Sequence, residues 1–335
     1  AQALGVAPPA SQRPPLDLAD VAGQVEAKWA LEVAAAGRHH LYLHGPPGVG
    51  KTLLAERLPG LLPDLELSEA LEVSAVHSLA GINLDGGLVR RPPYADPHHS
   101  ASLASLVGGG ARIAVPGAVS RAHRGVLFLD EAPEFSPRVM EALRVPLESG
   151  RIVLGRALAT ATYPASFQLV LAANPCPCGM AGTPGASCRC PPMAVRRYAS
   201  RVSGPILDRI DIHQELRPVR AAFLERRCEP GESSAAVAER VSGARERQRH
   251  RLEPSGWRTN GEVPGPALRK RLPLPEGSDL LDVAVARGRL SARGVDKVLR
   301  LAWTVADLEG VARPTREHLH TALAMRRGEH RTELT

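Results

Sequence analysis

The stretch Gly45-Pro46-Pro47-Gly48-Val49-Gly50-Lys51-Thr52 decides how the rest of this chain is interpreted. It matches the phosphate-binding pattern G-x-x-x-x-G-K-[ST]. The run His40–His44 precedes it and predicts a short buried strand, and Leu53–Leu58 follows and predicts a helix. In this setting the glycines let backbone N–H groups surround phosphates, and the helix N-terminus adds its dipole. The sequence therefore predicts a site for a nucleoside triphosphate, where Lys51 reaches the β- and γ-phosphates and Thr52 binds Mg²⁺.

A second stretch, Gly125–Glu131, is a continuous apolar run that ends in two acids. This pattern is typical of a central parallel strand whose carboxyl end faces a ligand, although a buried strand with a solvated acidic turn would look the same. The phosphate-binding loop upstream favours the first interpretation. Asp130 is then predicted to hold Mg²⁺ and Glu131 to polarise the attacking water. A further strand over Phe167–Ala173 ends at Asn174, which could orient that water.

The composition limits the class of protein. The 335 residues are 44% hydrophobic but only 3% aromatic, so the core must consist mostly of Ala, Val and Leu. No apolar run reaches the ~18–20 residues of a membrane span, and no signal peptide is recognisable. We therefore expect no membrane partner and a cytoplasmic location. The net charge of +7 suits a polyanionic partner.

The chain divides into three parts by composition. Residues 1–15 are rich in Ala, Pro and Gln and predict a linker. Residues 16–217 hold the motifs above, with a predicted helix at Val25–Ala36, another at Pro137–Glu148, and a β-hairpin over Arg151–Tyr163. From about Pro218 the sequence changes to Arg-rich helices, so 218–335 is predicted to be a separate helical domain.

Four of the five cysteines lie close together, within the loop 176–190. Cys176-Pro-Cys178 and Cys188-Arg-Cys190 supply the four thiolates of a tetrahedral zinc site, although their C-x-C spacing is tighter than the usual one. Reduced thiols in a loop are the alternative. We predict a structural Zn²⁺.

Arg209, in Leu207-Asp208-Arg209-Ile210-Asp211, has acids on either side. It could form a structural salt bridge. It could instead be an arginine finger, offered across a subunit interface to neutralise charge in the transition state.

In their order along the chain, these motifs resemble an AAA+ ATPase: an α/β fold of three layers, a P-loop parallel sheet with helices on both faces, and a C-terminal all-α lid. Pro97-His98-His99-Ser100, Pro116–Ser120, Ala122–Glu131 and Ala173–Gly179 resemble the magnesium-chelatase-like branch. Within it, the Cys-rich loop is similar to that of the YifB/ComM family. The resemblance covers about residues 16–327.

The resemblance implies a homo-hexameric ring that hydrolyses ATP to drive branch migration of DNA during recombination and natural transformation. It implies that Lys51 and Thr52 form Walker A, Asp130 and Glu131 Walker B, and that Asn174 is sensor 1. It also implies that Arg209 is the trans-acting finger. Arg293 matches the sensor 2 arginine that contacts the nucleotide, with Arg300 as the competing candidate. The hairpin would point into the ring pore, so that Arg156 at its tip contacts DNA, unless it is an ordinary solvated turn residue.

Two departures from the family are visible. Its members normally begin with a domain that resembles the Lon protease, and nothing here corresponds to it; we expect a motor portion only. Arg124 and Ala118 stand where the family often has Asn and Glu.

Two other functions compete with the DNA motor: a magnesium-chelatase ATPase subunit, and a MoxR-like remodeller of a protein partner.

Overall fold

The computed structural model describes residues 16–84, 87–110, 114–155, 160–183, 185–218 and 231–329. The predicted linker at 1–15 lies outside these residues. In chain order the elements are α1 (Val25–Gly37), β1 (Leu41–His44), α2 (Lys51–Leu61), α3 (Leu67–Leu79), β2 (Tyr94–Ala95), α4 (Leu103–Val107), β3 (Gly108–Gly109), β4 (Val115–Pro116), α5 (Ala118–Arg121), β5 (Val126–Leu129), α6 (Pro137–Ala142), α7 (Arg144–Ser149), β6 (Arg151–Gly155), β7 (Thr160–Pro164), β8 (Gln168–Ala173), α8 (Pro192–Ala199), α9 (Gly204–Leu207), β9 (Ile212–Glu215), α10 (Ser234–Leu252), α11 (Gly265–Arg271), α12 (Asp279–Ala286), α13 (Ala292–Glu309) and α14 (Arg316–Arg327).

Five strands form one parallel sheet in the order β2-β5-β8-β1-β9. The register pairs Leu41 of β1 with Val170 of β8 on one side and with Ile212 of β9 on the other. Because every pair is parallel, the carboxyl ends of β5, β8 and β1 lie side by side at one edge. The three predicted strands are confirmed, and β2 and β9 extend the sheet at its two sides.

Side chains of the central strands alternate between two hydrophobic clusters. Val126 and Phe128 of β5 pack with α1 and α2, whereas Leu127 and Leu129 pack on the opposite face with α5 and α6. This alternation follows from the two-residue period of a strand buried on both faces. The predicted three-layer α/β fold is therefore confirmed.

The described residues 231–329 contain helices and short helical turns but no strand. Ser233 and Ser291 cap α10 and α13 by accepting hydrogen bonds from backbone N–H groups three residues on. Buried residues of these helices, Trp303 among them, belong to the same hydrophobic cluster as α1 and α2. The C-terminal helices thus pack against α1 and α2, the helices that cover one face of the sheet.

One predicted helix is divided. Pro137–Glu148 was expected to be continuous, but α6 ends at Ala142 and α7 begins at Arg144. Pro146 explains this difference, because a proline has no N–H to donate to the carbonyl of Ala142.

No described helix combines the length and apolar character that crossing a bilayer requires.

The hairpin β6–β7 pairs antiparallel as predicted, from Arg151 opposite Pro164 to Gly155 opposite Thr160. Its tip, 156–159, lies outside the described residues, and so does the proposed DNA contact at Arg156.

Candidate nucleotide site

The phosphate-binding loop connects β1 to α2, as its sequence predicted. Gly48 and Gly50 have φ angles of 80° and 96°, in the left-handed region that glycine adopts without strain. Gly45 is needed for another reason, because a Cβ there would lie 2.4 Å from the carbonyl oxygen of Leu216. The loop therefore turns tightly against the end of β9 and presents the N-terminus of α2.

Lys51 lies buried beneath this loop. Its Nζ donates to the carbonyl oxygens of Gly45 at 2.7 Å and Pro46 at 2.9 Å, and to Oδ1 of Asn174 at 2.9 Å. Burial lowers the pKa of Lys51, and the nearby carboxylates of Asp130 and Glu131 act against that effect. Lys51 is thus held next to the residue at the end of β8.

Thr52 and Asp130 meet across the same edge. The Thr52 hydroxyl donates to Oδ2 of Asp130 at 2.7 Å, and Oδ1 accepts from the backbone N–H of Glu131 at 2.8 Å. A hydroxyl beside a carboxylate is the donor set that Mg²⁺ uses in phosphate sites, so these two residues fit that ion. Glu131 follows with a φ of 50°, an unusual angle for a residue other than glycine.

The strand order explains why the predicted residues converge. β8 lies between β5 and β1, so Asn174 lies between Asp130 and the phosphate-binding loop. The structure brings together Lys51, Thr52, Asp130, Glu131 and Asn174 at this edge.

Gln24 belongs to the site but was missed from the sequence. Its backbone is left-handed, with a φ of 51°, just before α1. Its side-chain Nε2 donates to the carbonyl oxygens of Val49 at 3.0 Å and Arg217 at 2.9 Å. Gln24 therefore ties the segment before α1 to the phosphate-binding loop and to the chain leaving β9. The Gly23-Gln24 pair ahead of a helix was the available signal.

The four predicted cysteines form one cluster. Their sulfurs all lie within 4.8 Å of one another, and three of the separations are 3.4, 3.6 and 3.7 Å. A tetrahedral zinc with ~2.3 Å bonds needs sulfurs about 3.8 Å apart, so the donor set fits. Backbone hydrogen bonding, chiefly from Met180, lowers the pKa of Cys178 to about 6, whereas the pKa of Cys188 and of Cys190 is raised next to the other thiols, so Cys178 is the thiolate of the metal-free cluster.

The cysteine loop touches the phosphate-binding loop directly. A Cβ built on Gly179 would lie 2.6 Å from Cδ of Pro47, so only glycine fits this contact. Gly179 also has a φ of 79°, which favours glycine independently. The loop that holds the four thiols thereby packs on the nucleotide site.

The predicted arginines lie at the other end of the sheet. Arg209 precedes Asp211, which bonds to the backbone of His40 at the start of β1. Gly45 follows His40 by five residues along β1. At the ~3.3 Å rise per residue of a strand, Gly45 is therefore about 16 Å from His40. Arg209 is 12% exposed, pairs with Glu148 and donates to the carbonyl oxygen of Pro205 at 2.7 Å.

The two sensor 2 candidates also lie at this amino-terminal end. Arg293 is 68% exposed and lies 3.7 Å from a carboxylate oxygen of Asp208. Arg300 donates to the carbonyl oxygen of Val263 at 2.8 Å. Within the described part of the chain, both arginines therefore pair with groups away from the phosphate-binding loop.

The chain matches family models and known proteins along most of its length. The family model described as magnesium chelatase, subunit ChlI, matches residues 17–224, and its C-terminal counterpart matches residues 231–326. The chain is 54% identical over 313 residues to an uncharacterised protein of Mycobacterium tuberculosis, with 92% of this chain and 61% of the relative covered.

Two further relatives carry names. The chain is 46% identical to YifB of Escherichia coli over 311 residues, with 92% of this chain and 60% of YifB covered. It is 43% identical to competence protein ComM of Haemophilus influenzae over 312 residues, with 93% of this chain and 60% of ComM covered. The chain therefore spans about three fifths of the length of these relatives.

Proposed function

Because the chain belongs to the magnesium-chelatase-like family that its motifs predicted, we propose that it is an ATPase that drives movement of DNA. The observation that carries the ATPase part is the edge where Lys51 bonds Asn174 and Thr52 bonds Asp130. A buried ammonium, a hydroxyl and carboxylates around the N-terminus of a helix are suited to a triphosphate and little else.

The roles follow from the contacts. Lys51 exchanges two carbonyl oxygens for phosphate oxygens and stabilises the charge that develops on the transferred group. Thr52 and Asp130 would hold Mg²⁺, which when bound neutralises phosphate charge. Asn174 orients the attacking water, and Glu131 accepts the proton that the water loses.

Arg209 acts on a neighbouring subunit in this proposal. Arg209 lies at the amino-terminal end of the sheet, and the length of β1, about 16 Å, separates that end from the phosphate-binding loop of the same chain. This separation supports the assignment. A ring places that end of one subunit beside the nucleotide of the next, so Arg209 would exchange Glu148 for phosphate. We propose a homo-hexamer, in which Arg293 or Arg300 also reaches a nucleotide.

DNA is the proposed substrate of the motor. The name of the ComM relative, a competence protein, supports it, and so does the positive charge of the chain. The hairpin β6–β7, with the exposed Arg151 and Val153 on one face, is a suitable surface for a strand in the pore. We propose branch migration during recombination, with a cytoplasmic location.

A second candidate function is an ATPase subunit that remodels a protein partner, as in magnesium chelatase. The description of the matching family model favours it. Stimulation by DNA distinguishes the two.

We also propose that the cysteine cluster binds one structural Zn²⁺. The separations of 3.4 to 3.7 Å among Cys176, Cys178 and Cys188 support it. Since the loop has few apolar residues of its own, a metal would hold it closed against Pro47.

The deciding experiment measures steady-state ATP hydrolysis at one moderate salt concentration with no DNA, single-stranded DNA and a four-way junction. Glu131→Gln serves as the blank, and the ring is first confirmed by its mass in solution. Stimulation by DNA, with a salt dependence that counts phosphate contacts, would support the motor. Turnover by assembled rings that ignores DNA would favour the remodelling function.

A further inference from the structure

The turn that carries Arg209 lies between the four-residue helix α9 and the strand β9. We call residues 208–211 the finger turn. The carbonyl oxygens of Arg209 and Ile210 lie outside both elements. Since buried backbone carbonyls need hydrogen-bond partners, these two must find theirs elsewhere in the molecule.

Lys297 of α13 is the first such partner. Its Nζ donates to the carbonyl oxygen of Arg209 at 2.8 Å and to Oδ1 of Asp211 at 2.7 Å. The other carboxylate oxygen, Oδ2 of Asp211, accepts from the backbone N–H of His40 at 2.8 Å. The side chains of Lys297 and Asp211 are only 11% and 6% exposed, so water competes little for these bonds. A series of buried hydrogen bonds thus connects α13, the finger turn and the start of β1.

Arg326 of α14 is the second partner. Its guanidinium donates to the carbonyl oxygen of Ile210 and lies 3.6 Å from a carboxylate oxygen of Asp208. Its Nη1 also lies 3.0 Å from Nε2 of His213 in β9. Two helices of the C-terminal part therefore hold the backbone of the finger turn.

The side chain of Arg209 is held less firmly than its backbone. Its guanidinium pairs with Glu148, which is 58% exposed, and donates to the carbonyl oxygen of Pro205. Ion pairs with an exposed partner are weak, so a phosphate group can displace Glu148. The guanidinium can therefore turn to a new partner while the backbone of Arg209 stays in place.

We propose that Lys297 is a positioning residue for Arg209, because it fixes the backbone from which Arg209 reaches the nucleotide of the next subunit. This inference rests on the proposed ATPase function and on the trans-acting role of Arg209. A displacement of about 1 Å in a group that acts on the transition state can lower the rate roughly a hundredfold. A finger turn without its anchor would therefore lose most of its effect on hydrolysis.

The test compares four variants of the full chain by kcat, KM for ATP and unfolding in urea. Lys297→Met removes the ammonium and keeps most of the apolar side chain, whereas Lys297→Arg keeps a cation. Lys297→Met leaves the Asp211 carboxylate buried without its partner, so the double variant Lys297→Met/Asp211→Asn removes that destabilising charge. Arg240→Met is the matched control. It breaks a different ion pair of the C-terminal helices, that of Arg240 with the buried Glu32 of α1, where Nε and Oε1 are 2.7 Å apart.

We expect Lys297→Met and the double variant to lower kcat roughly tenfold and to keep the KM for ATP within about twofold, because their own nucleotide site is unaltered. Lys297→Arg should retain most of the kcat. Arg240→Met should unfold at lower urea and keep its kcat. A merely structural role predicts that kcat recovers with stability in the double variant. That recovery, or an equal loss of kcat in Arg240→Met, would overturn the proposal.

Mixed rings decide whether Lys297 acts across the subunit interface. Lys51→Ala subunits contribute an intact finger turn but no working nucleotide site. The kcat of Lys297→Met subunits should therefore rise when they are mixed with Lys51→Ala subunits, and should not rise with Arg209→Ala subunits, which lack the finger. If co-assembled rings with Lys51→Ala show no gain, Lys297 acts only within its own subunit and the proposal is wrong.

Failure of the proposed function gives a different result from failure of this inference. If Arg209→Ala hydrolyses ATP as the unaltered protein does, Arg209 is not the finger and Lys297 has no finger to position. If Arg209→Ala is inactive but Lys297→Met keeps its full kcat, the finger assignment stands and the role of Lys297 alone is overturned.

Discussion

Lys51, the first residue of α2, and Asn174, the residue that follows β8, are joined by a hydrogen bond of 2.9 Å. They are 123 positions apart in the chain. This bond links the group that we propose binds phosphate to the group that we propose orients the attacking water.

Lys51→Ala should abolish nucleotide binding and hydrolysis together, because the buried ammonium serves both. Asn174→Ala should leave the Kd of ADP within about twofold and reduce kcat by roughly a hundredfold, since it acts on the water. Titration with a fluorescent ADP analogue and steady-state ATPase assays check both variants. The exposed Asn83 offers a control, Asn83→Ala. Equal loss of binding in Asn174→Ala would contradict the assignment.

Arg209→Ala should abolish hydrolysis and keep nucleotide binding, because Arg209 lies far from its own phosphate-binding loop. Mixed rings test action across the interface: Lys51→Ala and Arg209→Ala subunits, each inactive alone, should regain part of the activity on mixing. Some interfaces then combine an intact Lys51 with an intact Arg209. Mixtures that stay inactive, although their subunits are shown to co-assemble, would refute the trans-acting role.

Removal of the metal should weaken nucleotide binding, because Gly179 of the cysteine loop packs on Pro47. We expect one zinc per chain by elemental analysis, and loss of that zinc together with a raised Kd for ADP in Cys178→Ser. Cys228→Ser is the matched control, since Cys228 is the cysteine that lies outside the 176–190 segment of the sequence. Well under one zinc per chain in protein purified without chelator would rule out the site.

Gln24→Ala should raise the KM for ATP severalfold with a smaller effect on kcat, because it frees the segment before α1 from the phosphate-binding loop. Gln214→Ala is the control, since its side-chain Nε2 donates to the neighbouring carbonyl oxygen of Glu215. Steady-state kinetics over a range of ATP concentrations separate the two constants. An unchanged KM would show that the tie to Val49 does not matter.

The protein should lose stability as the pH falls from about 6.5 to 4. Burial lowers the pKa of His39 and of His40 to about 4, so between these pH values the unfolded chain binds protons that the folded chain does not. Each histidine contributes a slope of ~1.4 kcal/mol per pH unit to the free energy of unfolding. The contribution is complete above pH 6.5 and absent below pH 4.

Urea unfolding between pH 7 and 4.5 measures this slope. His39→Asn should reduce the slope of the free energy of unfolding against pH by ~1.4 kcal/mol per pH unit, the contribution of one histidine. The exposed control His250→Asn should leave the slope unchanged. Asp211 acts at lower pH only: its ion pair with Lys297, with Oδ1 and Nζ 2.7 Å apart, holds its pKa well below the usual range. Its stabilisation is therefore lost only as the pH falls below about 4. Parallel curves for the two histidine variants would contradict the proposal.

Asp130 and Asn174 could be predicted because each one follows a buried apolar strand. Such a run, followed at once by Asp130 or Asn174, has few interpretations once a phosphate-binding loop is present. The helix α1 was also predictable to within one residue of its bounds, because Gly37 ends it, and the helical character of the C-terminal part was predicted as well. A terminal glycine is a local signal, and local signals are what a sequence carries most directly.

The missed elements lack such signals. β2 is only two residues long, and β9 has a single apolar residue, Ile212, followed by three polar ones, so neither has a periodic pattern long enough to recognise. The contact between Nδ1 of His99 and Oε2 of Glu131, 3.2 Å apart, depends on the pairing of β2 with β5 and was therefore missed as well. Gln24 was overlooked because its partner, the carbonyl oxygen of Val49, is a backbone atom that no residue type reveals.

By itself the sequence determined the family, the α/β architecture and the position of the P-loop motif, because these follow from contiguous motifs and from the two-residue period of buried strands. Only the tertiary structure decided which ends of the molecule carry which groups. Parallel pairing places Lys51, Asp130 and Asn174 at one edge of the sheet and Arg209 at the other. It also brings His99 beside Glu131. These relationships depend on strand order, which long-range packing sets and no local pattern encodes.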